Sequence, residues 1–344
     1  IEIAKKNKDY ANVSYLNSVL SIEYFINQEN DKTNLSLRDA EIYSRKTNKY
    51  EIKGFFYYAR AWISLKKQKN IEAVNDFLNA IKNYDQAPQS KKIFKLKATI
   101  YNELCLIYGS WKEEELQEKY SFKSLEYALK QDEQNEVFSA YMVVGHFYND
   151  KFIKTNETKH RDLIEYYYLK AFNLFQENEM VYSSDLAYVS INIANLYLTY
   201  YPENYTDKII KYASITKEIA SKQKEYNYIA NVNMIFGKIA SRKKEYNEAK
   251  NHYLEAYDVI QKSLKKDTNI ELKILEGLIE IELLNKNYEE VAKYQNKYLN
   301  IHKETFDYEQ LKLSKRLEAE FEQKLQIKEL EKLQLLSNTK EQQI

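Results

Sequence analysis

The spacing of small and large residues between positions 228 and 257 constrains the fold of this chain more than any other feature. Twelve residues separate Gly237 from Ala249. Tyr253 and Ala256 follow four and seven residues after that alanine. Residues at such steps share one face of an α-helix, and two helices approach to about 8–10 Å only where side chains are short. The pattern therefore predicts two antiparallel helices joined by a tight turn, with the small residues where the helices cross.

The scarcity of helix breakers extends this prediction to the whole chain. Only five Gly and two Pro occur among 344 residues. Gly inside a helix costs about 1 kcal/mol relative to Ala, and Pro removes an amide that the helix needs. So few breakers argue against most β architectures and against flexible linkers, and they predict an all-α chain. The segment around Pro202 is the clearest expected helix stop.

Related spacing recurs along most of the chain. The first small position of each second helix is expected near Ser36, Ala73, Ser121, Ile164, Ile209, Ala249 and Val291. Eight residues are expected where helices cross most closely: Ala61, Ala73, Ala80, Gly145, Ala171, Gly237, Ala249 and Ala256. Residues 109–119 and 150–161 are expected to lengthen the turns inside two hairpins.

This pattern resembles the tetratricopeptide repeat, whose minimal unit has about 34 residues. The last five intervals between the expected small positions are 48, 43, 45, 40 and 42 residues, so these units are longer. The resemblance implies an all-α, right-handed superhelical solenoid of about seven helical hairpins, followed by a long C-terminal helix. Repeat arrays of this kind are binding scaffolds more often than enzymes.

The pattern changes after residue 302. From Phe306 to Leu336, apolar residues recur mostly at three- and four-residue steps, which indicates one long amphipathic helix. Two interpretations remain open: a helix that caps the end of the array, or a coiled-coil strand through which the chain forms a homodimer. We therefore divide the chain into a repeat array, residues 1–302, and an exit helix, residues 303–344.

The balance of charge limits the partners. The chain has 52 basic and 51 acidic residues and a formal net charge of +1. A nucleic-acid-binding surface needs a basic stripe, so we expect no direct contact with nucleic acid. The sequence also lacks a run of about 18 apolar residues, so it predicts no transmembrane helix within these residues.

Motifs that carry catalysis or bind metal are missing from the sequence. The four His are scattered, and Cys105 is the single Cys, which excludes an internal disulfide and a cysteine metal cluster. The HExxH and CxxC spacings and glycine-rich phosphate loops are also missing. We therefore predict that the chain is not an enzyme and that it requires no cofactor or metal.

The resemblance also implies a binding surface. In tetratricopeptide arrays the first helix of each hairpin lines a concave groove, with exposed positions three before, one after and four after the small residue. Peptide or protein ligands are expected there, because amides can bond an extended backbone and aromatic rings can receive apolar side chains. The corresponding positions in this sequence are Tyr58, Trp62, Asn102, Met142, His146, Ile191, Asn195, Met234, Lys238, Glu276 and Glu280.

The C-terminal run YEQLKLSKRLEAEFEQKLQIKELEKLQLLSNTKEQQI resembles the exit helix of bacterial tetratricopeptide sensor regulators. In that family an extracytoplasmic array leads through a charged helix to a membrane span, followed by a histidine kinase or a helix-turn-helix domain. The resemblance implies the ligand-sensing domain of a signal-transduction or transcription regulator, placed in the periplasm and anchored to the membrane by its parent protein. Two alternatives remain: a cytoplasmic regulator of the Rap or peptide-pheromone-receptor type, and a passive assembly scaffold.

Overall fold

The regular structure of this chain is helical. The computed structural model describes residues 1–131, 133–176 and 183–305, and every regular element in these ranges is a helix. This confirms the all-α fold class. The chain divides into two compact units, unit 1 (Ile1–Val181) and unit 2 (Tyr182–Ile344).

Unit 1 contains, in its described residues, a short helix and four helical hairpins. The hairpins are α2–α3, α4–α5, α6–α7 and α8–α9, and the two helices of each pack along one another. We call α2, α4, α6 and α8 the first helices. The bounds are α1 (Glu2–Lys6), α2 (Tyr10–Ile26), α3 (Asn30–Arg45), α4 (Tyr50–Lys66), α5 (Asn70–Gln86), α6 (Lys91–Ser110), α7 (Glu114–Gln131), α8 (Gln134–Thr155) and α9 (Thr158–Gln176).

Unit 2 contains three more hairpins in its described part, with first helices α10, α12 and α14. The last hairpin pairs α14 with helical residues 288–305, which pack on it through Tyr294. The stop predicted at Pro202 is confirmed, because a single 3-10 turn (Glu203–Tyr205) separates α10 from α11. The bounds are α10 (Ser184–Tyr200), α11 (Thr206–Gln223), α12 (Tyr226–Arg242), α13 (Tyr246–Ile260) and α14 (Thr268–Leu284).

One turn geometry joins the helices of most hairpins. The amide after each turn donates to the carbonyl five residues earlier, as Glu29 does to Tyr24 and Glu245 does to Ala240. Together with a left-handed residue, this bond forms the Schellman motif that ends helices. The left-handed position holds Gln28, Gln68, Lys112, Lys244 and Lys286, all with positive φ. Long polar side chains thus occupy a position where Gly is usual.

The positions of these turns measure the repeat. In unit 1 the positive-φ residues Gln28, Gln68, Lys112 and Asn156 follow one another at intervals of 40, 44 and 44 residues. In unit 2 the equivalent interval, from residue 244 to residue 286, is 42 residues. The long repeat predicted from the sequence is therefore present in both units.

The extra length lies in the helices and not in the turns. Residues 109–110 belong to α6, and residues 150–155 belong to α8. The prediction that residues 109–119 and 150–161 lengthen two turns is therefore wrong. The first segment is rich in Glu and the second contains three Lys; both residue types are good helix formers, so helices occupy most of each segment.

Two of the small positions predicted from residue size are displaced. In α5, Ala73 lies five residues after the positive-φ residue of its turn. Five residues after the positive-φ residue, the first hairpin has Thr33 and the third has Gln117. The sequence pattern predicts Ser36 and Ser121 at these equivalent positions. All four of these side chains are buried. Small polar residues occupy several buried positions of α3 and α7, so size alone does not fix the register.

Glycines in the first helices make room for tyrosine rings of the second helices. A Cβ built on Gly145 would lie 2.4 Å from the Tyr168 ring. A Cβ on Gly237 would lie 3.1 Å from the Tyr253 ring, and one on Gly277 would lie 2.3 Å from the same ring. All eight residues predicted at close crossings are buried: Ala61, Ala73, Ala80, Gly145, Ala171, Gly237, Ala249 and Ala256.

Most of the predicted exit helix, residues 303–344, lies outside the described residues. The chain is still helical at residue 305, and the predicted coiled coil from Phe306 to Leu336 falls beyond that point. Among the described helices, none combines the length and the apolar character that crossing a membrane requires.

Candidate ligand-binding surface

The five groove residues predicted in unit 1 lie on three first helices. Tyr58 and Trp62 are half-buried on α4, and Asn102 is half-buried on α6. Met142 on α8 is only 3% exposed, so it packs in the interior. His146, also on α8, is half-buried.

An internal contact engages His146. Its Nδ1 lies 2.9 Å from the hydroxyl of Tyr168, within hydrogen-bonding distance, and the ring of that tyrosine packs against Gly145. Burial lowers the pKa of His146, so the imidazole is neutral at neutral pH. Ligand contact by His146 and Met142 stays a prediction, and the structure gives both side chains a packing role.

Five residues form what we call the α4–α6 surface: Tyr58, Trp62, Lys66, Asn102 and Glu103. The three on α4 follow one another at four-residue steps, so they share a helix face. Lys66 Nζ lies 5.4 Å from the centroid of the Trp62 ring, a cation–π distance. This surface combines aromatic rings, an amide and both signs of charge.

Residues of α4 and α6 on this surface influence one another's pKa values. Burial and, second, the Glu103 carboxylate raise the pKa of Tyr58. Burial also raises the pKa of Glu103, and the Lys66 ammonium partly opposes that shift. The Glu103 carboxylate therefore interacts electrostatically with Tyr58 and Lys66, both on α4.

Two polar groups of the α4–α6 surface are poorly compensated. The Oδ1 atom of Asn102 is buried and accepts no hydrogen bond from the described residues, a deficit of about 1–3 kcal/mol. Glu103 has a raised pKa, which means that the fold disfavours its charged form. Groups that the fold disfavours in this way are concentrated at functional sites.

Neighbouring rings hold the two aromatic residues of this surface in place. Trp62 meets Phe25 edge-to-face with ring centroids 6.0 Å apart. Tyr58 contacts Phe55 at 5.9 Å and Phe77 at 6.4 Å, measured between centroids. A ligand that binds these rings therefore meets side chains that are already ordered, which lowers the entropy lost on binding.

In unit 2 the predicted residues on α10 and α12 are packed, paired or exposed. Ile191 is 3% exposed and Met234 is 9% exposed, so both contribute to the interior. Asn195 Nδ2 donates to Asn231 Oδ1 at 3.3 Å. Lys238 is exposed to solvent.

The two predicted residues on α14 are exposed. Glu276 accepts a hydrogen bond from the Tyr298 hydroxyl at 3.1 Å. The nearby Glu280 contributes, after burial, to raising the pKa of Tyr253 to about 12. Both acids therefore interact with tyrosines of their own unit.

Three residues that matter to these surfaces were not predicted: Lys66, Glu103 and Asn231. Lys66 lies five positions after Ala61, and Glu103 lies two positions before Cys105. The spacing rule taken from shorter repeats does not include those offsets. Four-residue steps continued to the end of α4 would have included Lys66.

The described residues show no group of three or more side chains of metal-ligating type that could hold a metal ion. Burial and, to a smaller extent, Asp150 raise the pKa of the Cys105 thiol to about 12, so the thiolate is scarce at neutral pH. The absence of a cofactor and of enzymatic activity stays a prediction from the sequence.

No protein-family model matches the chain, and no curated protein matches it. Solved structures do match. The apo form of RapI is 14% identical, with a TM-score of 0.61 over 86% of this chain and 99% of that chain. Aspartyl phosphate phosphatase F from Bacillus subtilis is 12% identical, with a TM-score of 0.58 over 88% of this chain and 73% of that chain.

A third similar structure is NprR in complex with its cognate peptide NprX. It is 15% identical, with a TM-score of 0.54 over 88% of this chain and 80% of that chain. At such identities the likeness concerns the fold alone. Together with the hairpins described above, it shows a helical-repeat fold of the tetratricopeptide type.

Proposed function

We propose that this chain is a peptide-binding helical-repeat regulator and that the peptide binds at the α4–α6 surface. The observation that carries the proposal is the combination, on one surface, of two ordered aromatic rings, a buried amide oxygen without a donor and a disfavoured carboxylate. The likeness to NprR, a protein crystallised with its cognate peptide, supports a peptide as the ligand class.

Each group has a defined part in this proposal. Asn102 is half-buried, and a rotation of its amide exposes Oδ1, which then accepts a backbone N–H of an extended peptide and loses its hydrogen-bond deficit. Trp62 and Tyr58 receive an apolar side chain. Glu103 binds a basic side chain of the peptide. That positive charge adds to the charge of Lys66, which already stabilises the Glu103 carboxylate in part. The preferred ligand is therefore an extended peptide with a basic residue close to an apolar one.

Selection from a library of random peptides, displayed on phage and presented to the immobilised chain, tests this proposal. Recovered peptides are expected to contain the basic and apolar pair. Their affinity is expected to fall at least about tenfold in Trp62→Ala and in Glu103→Gln, as for central residues of an interface. The matched variants Lys238→Ala and Asn231→Ala, on the first helices of unit 2, are expected to leave the affinity unchanged.

Two results of that selection would contradict the proposal. One is a failure to recover any binding peptide. The other is a set of peptides whose affinity depends on the two unit 2 residues and not on Trp62 or Glu103. Thermal melts of each variant check that a lost affinity does not reflect a lost fold.

The proposal extends from peptide binding to signalling. We propose that peptide binding changes the packing of hairpins and that residues 303–344 pass the change to an output domain of a signal-transduction or transcription regulator. The support is the amphipathic pattern of that segment. Small-angle scattering with and without a selected peptide tests it, because a passive scaffold would keep the same radius of gyration.

The location of the chain also belongs to the proposal. An extracytoplasmic domain of a membrane-anchored protein follows from the resemblance of residues 303–344 to exit helices, and a cytoplasmic regulator is the alternative. The gene sequence after Ile344 distinguishes them. A span of about 20 apolar residues is expected in the first case, and its absence supports the second.

A further inference from the structure

A cavity of about 70 Å³ lies between α2, α4 and α6 in unit 1. Its apolar walls are formed by Tyr15 of α2, Ile52 and Phe55 of α4, and Ile93 and Leu96 of α6. Two aromatic rings among these are in contact, since Tyr15 and Phe55 have centroids 4.9 Å apart. Ser90, at the start of α6, adds a polar group to the lining. The apolar part of a cavity of this volume suits a side chain of a few carbon atoms, since an apolar cavity about twice as large accepts benzene.

Opposite charges line the same cavity. Glu51 of α4 and Lys92 of α6 are both exposed lining residues. Lys92 Nζ lies 5.0 Å from the centroid of the Tyr15 ring, so its ammonium is held beside the apolar wall. Within the described residues, neither Glu51 nor Lys92 forms an ion pair. Both are therefore available to a ligand.

Hydrogen bonds fix the loop that begins α6, and with it one wall of the cavity. Gln89 Nε2 donates to the carbonyls of Tyr84 and Ala87, at 2.9 Å and 2.8 Å. Its Oε1 accepts from Lys97 Nζ at 3.2 Å. That ammonium also pairs with Asp85 at 2.7 Å, and the Lys97 side chain is 2% exposed. The wall is therefore built before any ligand arrives, which favours binding.

A buried tyrosine of α5 packs on α4 beside the cavity wall. Tyr84 is fully buried, and its hydroxyl has no hydrogen-bond partner among the described residues. Burial, then Tyr58, then Tyr15 raise its pKa. The Tyr84 ring lies against Gly54 of α4, which precedes the wall residue Phe55 and lies four residues before Tyr58, so the two sites are neighbours along α4.

We propose that this cavity binds an aliphatic residue that carries a free carboxylate. The aliphatic side chain enters the apolar walls, and the carboxylate pairs with Lys92. Glu51 accepts a hydrogen bond from the nitrogen of the same residue. Two sources share this chemistry: a free aliphatic amino acid, whose ammonium pairs with Glu51, and the C-terminal residue of a peptide, whose amide N–H does so. The peptide source rests on the proposed function, whereas the free amino acid does not.

Calorimetric titration of the full chain with L-leucine, N-acetyl-L-leucine and L-leucinamide tests the proposal. The two compounds that carry a carboxylate are expected to bind about two- to fivefold more tightly than leucinamide, the range for an ion pair that is exposed to solvent. Lys92→Met is expected to remove that advantage. Lys91→Met, a change at the neighbouring residue outside the cavity, is the matched control and is expected to have no effect.

A second variant tests the cavity independently of its charges. Ile52→Trp places a larger side chain in the apolar space and is expected to abolish binding of both carboxylates, while a thermal melt reports whether the fold is kept. Since Lys92 is exposed, its variant is expected to fold in any case. The charge test therefore stands even where the filled cavity destabilises the chain.

The relative affinities identify the source. A free amino acid is identified if leucine binds more tightly than N-acetyl-leucine and Glu51→Gln lowers the affinity for leucine to that of N-acetyl-leucine. Equal or tighter binding of N-acetyl-leucine identifies a peptide C-terminus. Absence of binding at millimolar concentration, equal binding of leucinamide, or indifference to Lys92→Met would overturn the proposal.

These outcomes are separable from the fate of the proposed function. Trp62→Ala and Glu103→Gln are expected to leave leucine binding unchanged, since neither residue lines the cavity. Leucine binding without any peptide recovered in the selection would leave the cavity proposal standing and contradict the peptide proposal.

Discussion

The polar residues on the surfaces of the first helices have different partners in the two units. In unit 1, Asn102 keeps a buried oxygen without a donor and Glu103 carries a charge that the fold disfavours. In unit 2, Asn195 donates to Asn231 and Glu276 accepts from a tyrosine hydroxyl.

Asn233 on α12 and Ser190 on α10 also have buried polar atoms without a partner among the described residues, but both residues are fully buried and do not lie on the surface. Among the surface positions, the difference indicates where a ligand has something to add. It favours unit 1 as the binding region.

The units also differ in how tyrosines pack on glycines. In unit 1, Tyr168 fills the space beside one glycine, Gly145. In unit 2, Tyr253 fills the space beside two, Gly237 on α12 and Gly277 on α14. One ring therefore connects three helices of unit 2, which makes that unit more sensitive to a single substitution.

Removal of that ring is expected to have the largest effect. Tyr253→Ala should lower the free energy of unfolding by about 3–5 kcal/mol, the range for loss of a buried aromatic ring. Tyr168→Ala is expected to lower it by less, since one glycine contact is lost and not two, and the hydrogen bond to His146 that is also lost contributes only about 1 kcal/mol. Chemical denaturation followed by circular dichroism measures both. The exposed Tyr288→Ala is the control, with a change below about 0.5 kcal/mol.

The size order of those two losses is the informative result. An equal or larger loss in Tyr168→Ala would contradict the view that one ring of unit 2 connects more of its unit than the corresponding ring of unit 1.

Adding a methyl group at the glycines tests the same contacts from the opposite side. Gly277→Ala is expected to destabilise by about 2 kcal/mol, because its Cβ would lie 2.3 Å from Tyr253 and overpacking costs about 1–3 kcal/mol. At Gly237 the distance is 3.1 Å, so a small shift relieves the contact and the alanine is expected to be nearly neutral. Thermal melts of the two variants measure the difference, and a larger loss at Gly237 would refute the packing described here.

A substitution on the α4–α6 surface is expected to stabilise the chain. The folded pKa of Glu103 is raised above 4.5, so the folded state binds protons more readily and loses stability as pH rises through that range. Glu103→Gln removes this loss. At pH 7 it is expected to raise the free energy of unfolding by less than about 1 kcal/mol, since Glu103 is only half-buried and solvent screens its charge.

The pH dependence provides the control for that variant. The gain is expected to disappear near pH 4, where the wild-type carboxyl is protonated in both states. Glu280→Gln, an exposed acid of unit 2, is expected to change stability by less than about 0.5 kcal/mol at either pH. A loss of stability in Glu103→Gln at pH 7 would mean that the carboxylate contributes to folding.

The turns are expected to behave alike in the two units. Gln68→Gly in unit 1 and Lys244→Gly in unit 2 relieve a left-handed conformation that L-residues disfavour by about 1–2 kcal/mol. The greater freedom of Gly in the unfolded chain offsets part of that gain. Each is expected to stabilise by about 0.5 kcal/mol, measured by thermal melts. Opposite signs in the two units would show that the turns are not equivalent.

The sequence predicts the fold of this chain well where residue size decides the packing. The spacing of Gly237, Ala249 and Ala256 matches a hairpin because only short side chains permit the crossing. The pattern is less informative in α3 and α7, where Ser and Thr recur at several buried positions. There the turn geometry, and not the side-chain size, fixes Thr33 and Gln117 as the equivalent residues.

The candidate surface is less predictable from the sequence. Tyr58, Trp62 and Asn102 follow from the spacing of first-helix residues. Glu103 does not follow from that spacing. Its raised pKa depends on burial and on the charge of Lys66, which lies on a different helix. The burial of Met142 and Met234, which lie at positions expected to be exposed, likewise depends on the rotation of each helix against its neighbours.

Hydrogen–deuterium exchange of the full chain, with and without a peptide from the selection, tests the central claim most directly. The account predicts that the peptide slows exchange in α4 and α6 of unit 1 and leaves α10, α12 and α14 of unit 2 unchanged. Protection confined to the first helices of unit 2 would contradict it.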